Sequence, residues 1–272
     1  MSLKDVKLGL NRVKLIKFRN KRLERLGVKP IPFTKLLPNF VTLVGLIIGV
    51  SSIRFALDSR WETAVNCILI ATIIDGLDGR VARFLNATSH FGAELDSLCD
   101  FINFGLCPAL LVYLWSFQQY EYKVISWSSI TLYVVCMAIR LARFNTAIVE
   151  PGLTKQDDRF FTGIPAPSGA ILALIPLILD FEISSLIDNF NVRNYTLTIS
   201  IYIIFLALML PSRLPTVSLK KIHVKPEYLS LTMIISAVII IATFIYTWYS
   251  LPIIAIIYIL SIPVCVYYKQ KL

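Results

Sequence analysis

The chain has 272 residues, of which 56% are hydrophobic and only 16% are charged, and its mean hydropathy is +0.70. A soluble domain of this length cannot bury so much apolar surface, so a lipid bilayer is the expected solvent. The net charge of +10 belongs to segments that flank apolar stretches, a pattern typical of cytoplasmic membrane edges and anionic lipid, which argues against nucleic acid as a partner.

The first 38 residues form a basic segment without the apolar core or the cleavage site of a signal peptide. We therefore expect this segment to stay in the mature protein. Between residues 11 and 26, apolar residues are interleaved with basic ones, which predicts an amphipathic helix in the plane of the lipid headgroups. A solvated basic tail is the alternative. Pro38 suits the first turn of the helix that follows.

Eight apolar stretches approach the length of a membrane span, about 17–25 residues. They lie near Val41–Leu57, Thr63–Ile74, Leu98–Phe117, Ile125–Phe144, Ala166–Phe181, Leu197–Leu210, Leu229–Tyr249 and Leu251–Tyr268. An even number of spans puts both termini on one side, and the distribution of lysine and arginine predicts that this side is cytoplasmic. The predicted fold is an all-α polytopic membrane helix bundle with about eight transmembrane helices, preceded by the interfacial helix.

We expect the chain to divide into three parts: the basic interfacial segment (1–38), a helical core (39–215), and a basic loop with a C-terminal pair of helices (216–272). The cysteines all fall in apolar stretches, with a spacing that suits neither a disulfide framework nor a zinc site. They are Cys67, Cys99, Cys107, Cys136 and Cys265. Small buried core residues are the expected role for them.

Two acidic pairs lie at the end of the second apolar stretch and the start of the third. Asp75 and Asp78 are separated by three positions, and Asp96 and Asp100 by four, so on helices each pair lies on one face. Two adjoining helices would therefore bring four carboxylates to one point. A single pair would be explained as well by a helix cap or a loop charge, but four acids at the ends of two apolar spans favour a site.

Four carboxylates at one point repel one another unless cations lie between them. Mg²⁺ and Mn²⁺ prefer carboxylate and phosphate oxygens, and His90 is the only histidine near the cluster, which argues against zinc. Two such ions about 4 Å apart can hold a diphosphate during an in-line displacement. The cluster therefore predicts two divalent ions (Mg²⁺ or Mn²⁺) and phosphoryl transfer.

The residues between the two pairs suit a phosphate ligand. Gly76, Gly79 and Gly92 leave room for a substrate against the backbone, and Ala82 keeps the next helical face shallow. Arg83 can meet a phosphate oxygen.

The pattern D-x-x-D-G-x-x-A-R, eight residues, G-x-x-x-D-x-x-x-D runs without a gap through residues 75–100 and resembles the signature of the CDP-alcohol phosphotransferase family. The resemblance implies that the four aspartates hold two divalent ions and that Asp100 is the catalytic general base. It also implies that the CDP moiety is bound by Asp78, Gly79, Ala82, Arg83 and Gly92. Homodimers are common in this family, although the sequence marks no interface.

Within that family, three stretches resemble the membrane-type phosphatidylserine synthases of bacteria: residues 91–109, Arg140–Asn145 and Phe161–Pro167. Cys99 and Asn103 depart from the smaller residues usual in that branch. The resemblance implies CDP-diacylglycerol as donor, L-serine as acceptor, phosphatidylserine and CMP as products, and a bacterial inner membrane with a cytoplasmic active site.

Arg140, Arg143 and Asn145 lie at a predicted cytoplasmic helix end, where positive groups suit the carboxylate of serine. They are the candidate serine-binding residues, and a positively charged membrane anchor is the alternative role for the arginines. The aspartate motif leaves glycerol 3-phosphate, inositol and choline open as acceptors. An ion-coupled transporter is the rival class, but its acids would lie at the membrane midplane, and its halves would show a repeat.

Overall fold

The structure, a computed structural model, describes residues 36–118, 123–149, 160–187, 190–212, 215–217 and 228–270. The predicted interfacial helix at residues 11–26 lies outside the described residues. The described ranges are almost entirely helical, in agreement with the predicted fold class.

The described ranges contain eight helices of the bundle, one for each predicted apolar stretch. They are α1 (Leu37–Leu57), α2 (Trp61–Phe84), α3 (His90–Phe117), α4 (Lys123–Val149), α5 (Ala166–Leu186), α6 (Thr196–Met209), α7 (Leu229–Ile245) and α8 (Thr247–Gln270). Among the described residues, five helices are long and apolar enough to cross a membrane, namely α1, α3, α4, α5 and α8. This set supports an integral membrane protein.

The outer faces of the helices are apolar, as lipid contact requires. Large side chains such as Ile47, Leu98, Phe205, Ile234 and Leu260 are exposed. Water would make so large an apolar surface unfavourable, whereas hydrocarbon does not. The exposed surface therefore agrees with the membrane class that the composition predicts.

The core of the bundle combines aromatic side chains with close helix contacts through small residues. Phe104 and Tyr133 are fully buried, and Tyr133 donates a hydrogen bond from its hydroxyl to the carbonyl oxygen of Phe104 at 2.9 Å. A methyl group on Gly49 would lie 2.0 Å from Asn103 Oδ1, so only glycine lets α1 approach α3 this closely. All five cysteines are free and buried, as predicted.

Helix α3 changes its winding immediately after the second acidic pair. Its first section, His90–Asp100, is α-helical, and the next, Phe101–Leu106, is π-helical. A π-helical turn shifts the backbone hydrogen bonds by one residue, and such turns are frequent at functional sites. The hydrogen bond from Tyr133 on α4 reaches a carbonyl group of this turn, so α4 is fixed to α3 beside the acidic residues.

One short pair of strands interrupts the helical architecture. Strand β1 (Phe160–Thr162) pairs antiparallel with strand β2 (Pro215–Val217). Gly163 follows β1 with a φ of +78°, and a Cβ atom there would lie 2.8 Å from two carbonyl oxygens, those of Leu210 and Ser212. The left-handed backbone and the lack of space both require glycine. The segment that enters α5 is thereby held against the end of α6.

Candidate active site

The four aspartates lie on two consecutive helices joined by a short connection. Asp75 and Asp78 lie on α2, and Asp96 and Asp100 lie on α3. Ser89 begins α3 as its N-cap, since its Oγ accepts a hydrogen bond from the backbone N–H of Gly92 at 3.0 Å. Because α2 ends at Phe84 and α3 begins at His90, the connection is short and keeps the two acidic pairs adjacent.

The carboxylates converge as their spacing predicts. One carboxylate oxygen from each of Asp75, Asp78 and Asp96 lies within 4.8 Å of the other two. The side chain of Asp100 lies near enough to that of Asp75 for the two carboxyl groups to interact, so the fourth acid joins the same cluster. Asp78 is buried, and the other three are half-buried. The site thus has a polar interior with a partly open side.

This donor set fits hard divalent cations. The Oδ1 atom of Asp96 is buried and has no hydrogen-bond partner among the residues that the structure describes. A buried carboxylate oxygen without a partner is unfavourable, and like charges at this separation add repulsion. A cation bound by oxygen ligands would remove both penalties, and Mg²⁺ and Mn²⁺ are the ions that prefer such ligands.

Thr42 is a residue of the site that the sequence interpretation missed. Its hydroxyl lies on α1 in a buried environment, 2.8 Å from Asp78 Oδ2 and 3.1 Å from the carbonyl oxygen of Pro38, and the shorter hydrogen bond is the one donated to the carboxylate. This bond fixes the orientation of one carboxylate in the cluster, in the way that outer partners orient metal ligands. A hydroxyl within an apolar span is the signal that could have identified it.

Thr42→Val keeps the shape of the side chain and removes the hydroxyl. We expect divalent-cation affinity to fall about tenfold, since partners of metal ligands typically contribute about 10–100-fold. Titration with Mn²⁺, followed by electron paramagnetic resonance, measures the affinity independently of turnover. Ser51→Ala is the matched control, because Ser51 donates within α1 to the carbonyl oxygen of Ile47 at 2.6 Å. Wild-type affinity in Thr42→Val would show that the hydrogen bond from Thr42 does not contribute to cation binding by Asp78.

The glycines of the motif differ in their surroundings. A Cβ atom added to Gly76 or Gly79 would meet nothing within 4 Å, so open space lies beside both. At Gly92, an added Cβ atom would lie 3.0 Å from Asn39 Oδ1 and 3.1 Å from Ser89 Oγ. Glycine at that position therefore serves the close packing of the helix start, whatever else it does.

The remaining motif residues lie on the accessible part of α2. Arg83 is exposed, and Ala82 is half-buried one position before it. Both follow Gly79 along the last turns of the helix. Arg83 is thus a positive group at the exposed end of the helix that carries Asp75 and Asp78, and a guanidinium group suits a phosphate.

Two of the candidate serine-binding residues lie next to the aspartates. The charge of Arg140 interacts with that of Asp100, while its Nε donates to the carbonyl oxygen of Ile164 at 2.6 Å. Asn145 donates from Nδ2 to Ser97 Oγ at 2.7 Å. Both residues therefore connect α4 to the acidic end of α3 or to the segment that enters α5.

Arg143 has a different neighbour. Its guanidinium group donates to the carbonyl oxygen of Pro211, just beyond α6, and its side chain is exposed. This contact stabilises the same junction of α4, α5 and α6 that Gly163 supports.

The chain was compared with models of known protein families. Residues 35–209 match the model of the family described as CDP-alcohol phosphatidyltransferase. The matched range begins at α1 and ends with α6, so it contains all four aspartates.

Similar curated proteins are named CDP-diacylglycerol–serine O-phosphatidyltransferase. The protein of that name from Mycobacterium leprae is 33% identical over 247 residues, which cover 88% of this chain and 77% of the relative. The Mycobacterium tuberculosis protein is 33% identical over 236 residues, covering 85% of this chain and 78% of the relative. The Helicobacter pylori protein is 39% identical over 151 residues, or 56% of this chain and 61% of the relative.

Proposed function

Because the chain belongs to the CDP-alcohol phosphatidyltransferase family, we propose that it transfers a phosphatidyl group from CDP-diacylglycerol to L-serine in phospholipid biosynthesis. The products are phosphatidylserine and CMP. The observation that carries the proposal is the convergence of carboxylates from Asp75, Asp78 and Asp96 within 4.8 Å. The choice of acceptor is supported by relatives whose names specify serine.

Asp75, Asp78, Asp96 and Asp100 would hold two divalent cations, Mg²⁺ or Mn²⁺. When bound, such a pair stabilises negative charge on the phosphate oxygens of an in-line displacement. Thr42 keeps the Asp78 carboxylate oriented through its 2.8 Å hydrogen bond. The chain's part in this half of the site is therefore to hold four oxygens in a fixed arrangement before the substrate arrives.

The CDP moiety of the donor binds along α2 and the start of α3. The proposed contacts are Asp78, Gly79, Ala82, Arg83 and Gly92. Open space beside Gly79 supports close approach of the donor to the backbone, and the exposed guanidinium group of Arg83 supports pairing with the diphosphate. The acyl chains remain in the lipid, against the apolar outer faces of the helices.

Asp100 acts as the general base. It accepts the hydroxyl proton of serine while the serine oxygen attacks the β-phosphorus of the donor. A bond forms between these two atoms, the bond from the β-phosphorus to the bridging oxygen breaks, and CMP leaves with that oxygen. The contact of Asp100 with Asp75 supports a location for the base at the edge of the carboxylate cluster.

Arg140, Arg143 and Asn145 form the serine side of the site. In the described part of the chain, Arg140 uses only Nε for a hydrogen bond, which leaves the two terminal guanidinium nitrogens for a carboxylate. Arg143 supports the wall of this side through Pro211. Asn145 adds an amide next to the helix that carries the base.

In this proposal all eight helices span the inner membrane of a bacterial cell, with both termini and the active site on the cytoplasmic side. Residues 39–215 form the phosphotransferase core, flanked by the basic segment 1–38 and the C-terminal part 216–272. Shorter helices such as α6 can be accommodated by local thinning of the bilayer. The homodimer that the family resemblance implies stays a prediction.

The full-length protein, purified and reconstituted with CDP-diacylglycerol and Mg²⁺ or Mn²⁺, tests the function directly. We offer L-serine, glycerol 3-phosphate, inositol and choline separately and measure CMP release together with the lipid product. Phosphatidylserine alone is expected, and removal of the ions with a chelator is expected to stop its formation. Transfer to another alcohol and not to serine would overturn the choice of serine as acceptor. If none of the four alcohols led to release of CMP, the proposed function itself would be overturned.

A further inference from the structure

Pro108 explains why α3 widens into a π-helical turn after Asp100. Proline has no N–H, and in a continuous α-helix its ring clashes with the carbonyl group four positions before it, which here belongs to Phe104. The wider winding avoids this clash, and Cys107 donates its backbone N–H to the carbonyl oxygen of Ile102, five positions back. The Phe104 carbonyl group therefore lacks its α-helical donor.

Tyr133 supplies a donor to this carbonyl group from α4. Its side chain is fully buried, and its hydroxyl donates to the Phe104 carbonyl oxygen at 2.9 Å. A buried carbonyl group without a hydrogen bond is unfavourable, so the bond stabilises the turn in its wider winding. A Cβ atom added to Gly105 would lie 3.2 Å from Met137 Cγ, one helical turn after Tyr133. Helix α4 is thus packed closely against the π-helical turn.

The same turn is also in contact with α1. The side chain of Asn103 is buried and lies against Gly49, where no methyl group would fit. Asp100 is the residue immediately before the turn. Because the winding of a helix determines the direction in which successive side chains point, a turn held by two neighbouring helices fixes the direction of the Asp100 carboxylate.

We infer that Tyr133 is a positioning residue for the reaction, which acts through the π-helical turn on the carboxylate of Asp100. The inference rests on the proposed function, in which Asp100 accepts the proton of the acceptor, and it gives a task to a residue outside the aspartate motif. Without the hydroxyl of Tyr133, the turn loses the bond that stabilises its winding. The carboxylate then turns away from the position at which it meets the acceptor hydroxyl.

Tyr133→Phe removes only the hydroxyl and keeps the buried ring. In the reconstituted full-length protein, we expect kcat to fall about 10- to 100-fold, because a misplacement of about 1 Å can cost about 100-fold in rate. The KM for CDP-diacylglycerol is expected to change little, since the proposed CDP contacts lie on α2 and at the start of α3.

Tyr202→Phe is the matched control. The hydroxyl of Tyr202 on α6 donates to the carbonyl oxygen of Leu172 on α5 at 2.8 Å, so this substitution also removes one bond between two helices. Neither of these helices carries one of the four aspartates. We expect Tyr202→Phe to keep the wild-type kcat.

A double-mutant cycle separates positioning from a general loss of structure. If Tyr133 acts through Asp100, adding Tyr133→Phe to Asp100→Asn should leave the residual rate unchanged, whereas losses from independent causes multiply. Losses that multiply would overturn the inference, and so would a wild-type kcat in Tyr133→Phe.

Pro108→Ala decides if Tyr133→Phe does not accumulate in the membrane. Alanine provides an N–H and removes the ring, so the turn can adopt α-helical winding, and kcat is expected to fall while the protein still accumulates. An unchanged kcat there would show that the winding does not position Asp100. A wild-type protein that forms no phosphatidylserine would overturn the proposed function, whereas multiplied losses in an active protein overturn this inference alone.

Discussion

Replacing Asp100 with asparagine is expected to lower turnover about a thousandfold, because a positioned general base contributes about 10²–10⁴-fold to such reactions. Binding of CDP-diacylglycerol is expected to stay close to that of the wild type, since the proposed CDP contacts lie on other residues and the other three aspartates still hold the cations. Asparagine has nearly the same shape and still offers one oxygen, so the cluster keeps its packing. Initial rates at saturating substrate, together with equilibrium binding of the donor, measure the two quantities separately.

The control for Asp100→Asn is Glu94→Gln, which removes a carboxylate charge from an exposed position on the same helix. This variant is expected to keep wild-type turnover. Near-normal turnover in Asp100→Asn would refute the role of base. Recovery of the lost turnover at high Mn²⁺ would instead make Asp100 a metal ligand without a role in proton transfer.

The convergence of the aspartates could be predicted because it depends on local geometry. Spacings of three and four residues fix which side chains share a helix face, and the short connection that ends at Ser89 leaves α2 and α3 adjacent. The two acidic pairs are therefore expected to lie close together in the fold. The same locality explains why the predicted apolar stretches correspond one by one to the helices α1–α8.

The partners of the aspartates could not be predicted in the same way. Thr42 lies 36 positions before Asp78, and Asn145 lies 48 positions after Ser97. Which helix faces meet is decided by packing of the whole bundle, for example by the space at Gly49 that admits Asn103. A single sequence shows that Thr42 is a polar residue in an apolar span, but it does not show what this residue contacts.

The ends of the helices and the irregular elements could not be predicted from the sequence pattern either. Hydropathy predicts that the second span ends at Ile74, whereas α2 continues to Phe84, because hydropathy reports the surroundings of a helix and not its backbone hydrogen bonds. The last two helices meet near Tyr246 instead of Ser250. The strand pair joins Phe160 to Val217, and so distant a pairing leaves no periodic signal in such short segments.

Arg140 and Arg143 were equivalent in the sequence and differ in the structure. Arg140 is half-buried, and its charge interacts with Asp100. Arg143 is exposed and donates to the carbonyl oxygen of Pro211. The first arrangement suits a group that binds the serine carboxylate, and the second suits a group that stabilises the junction of the helices. The two roles lead to different kinetic results.

Arg140→Met is expected to raise the KM for L-serine about 10- to 100-fold, because a hydrogen bond to a charged group contributes about 1.5–3 kcal/mol. Methionine keeps much of the apolar stem of arginine, so packing around Ile164 should persist, and the KM for CDP-diacylglycerol should change little. Arg140→Lys keeps the charge and is expected to recover part of the loss. Arg143→Met serves as the comparison. We expect it to impair the use of both substrates equally or to reduce the abundance of the protein. Equal losses for both substrates in Arg140→Met would assign Arg140 the same structural role as Arg143 and leave the serine carboxylate to another group.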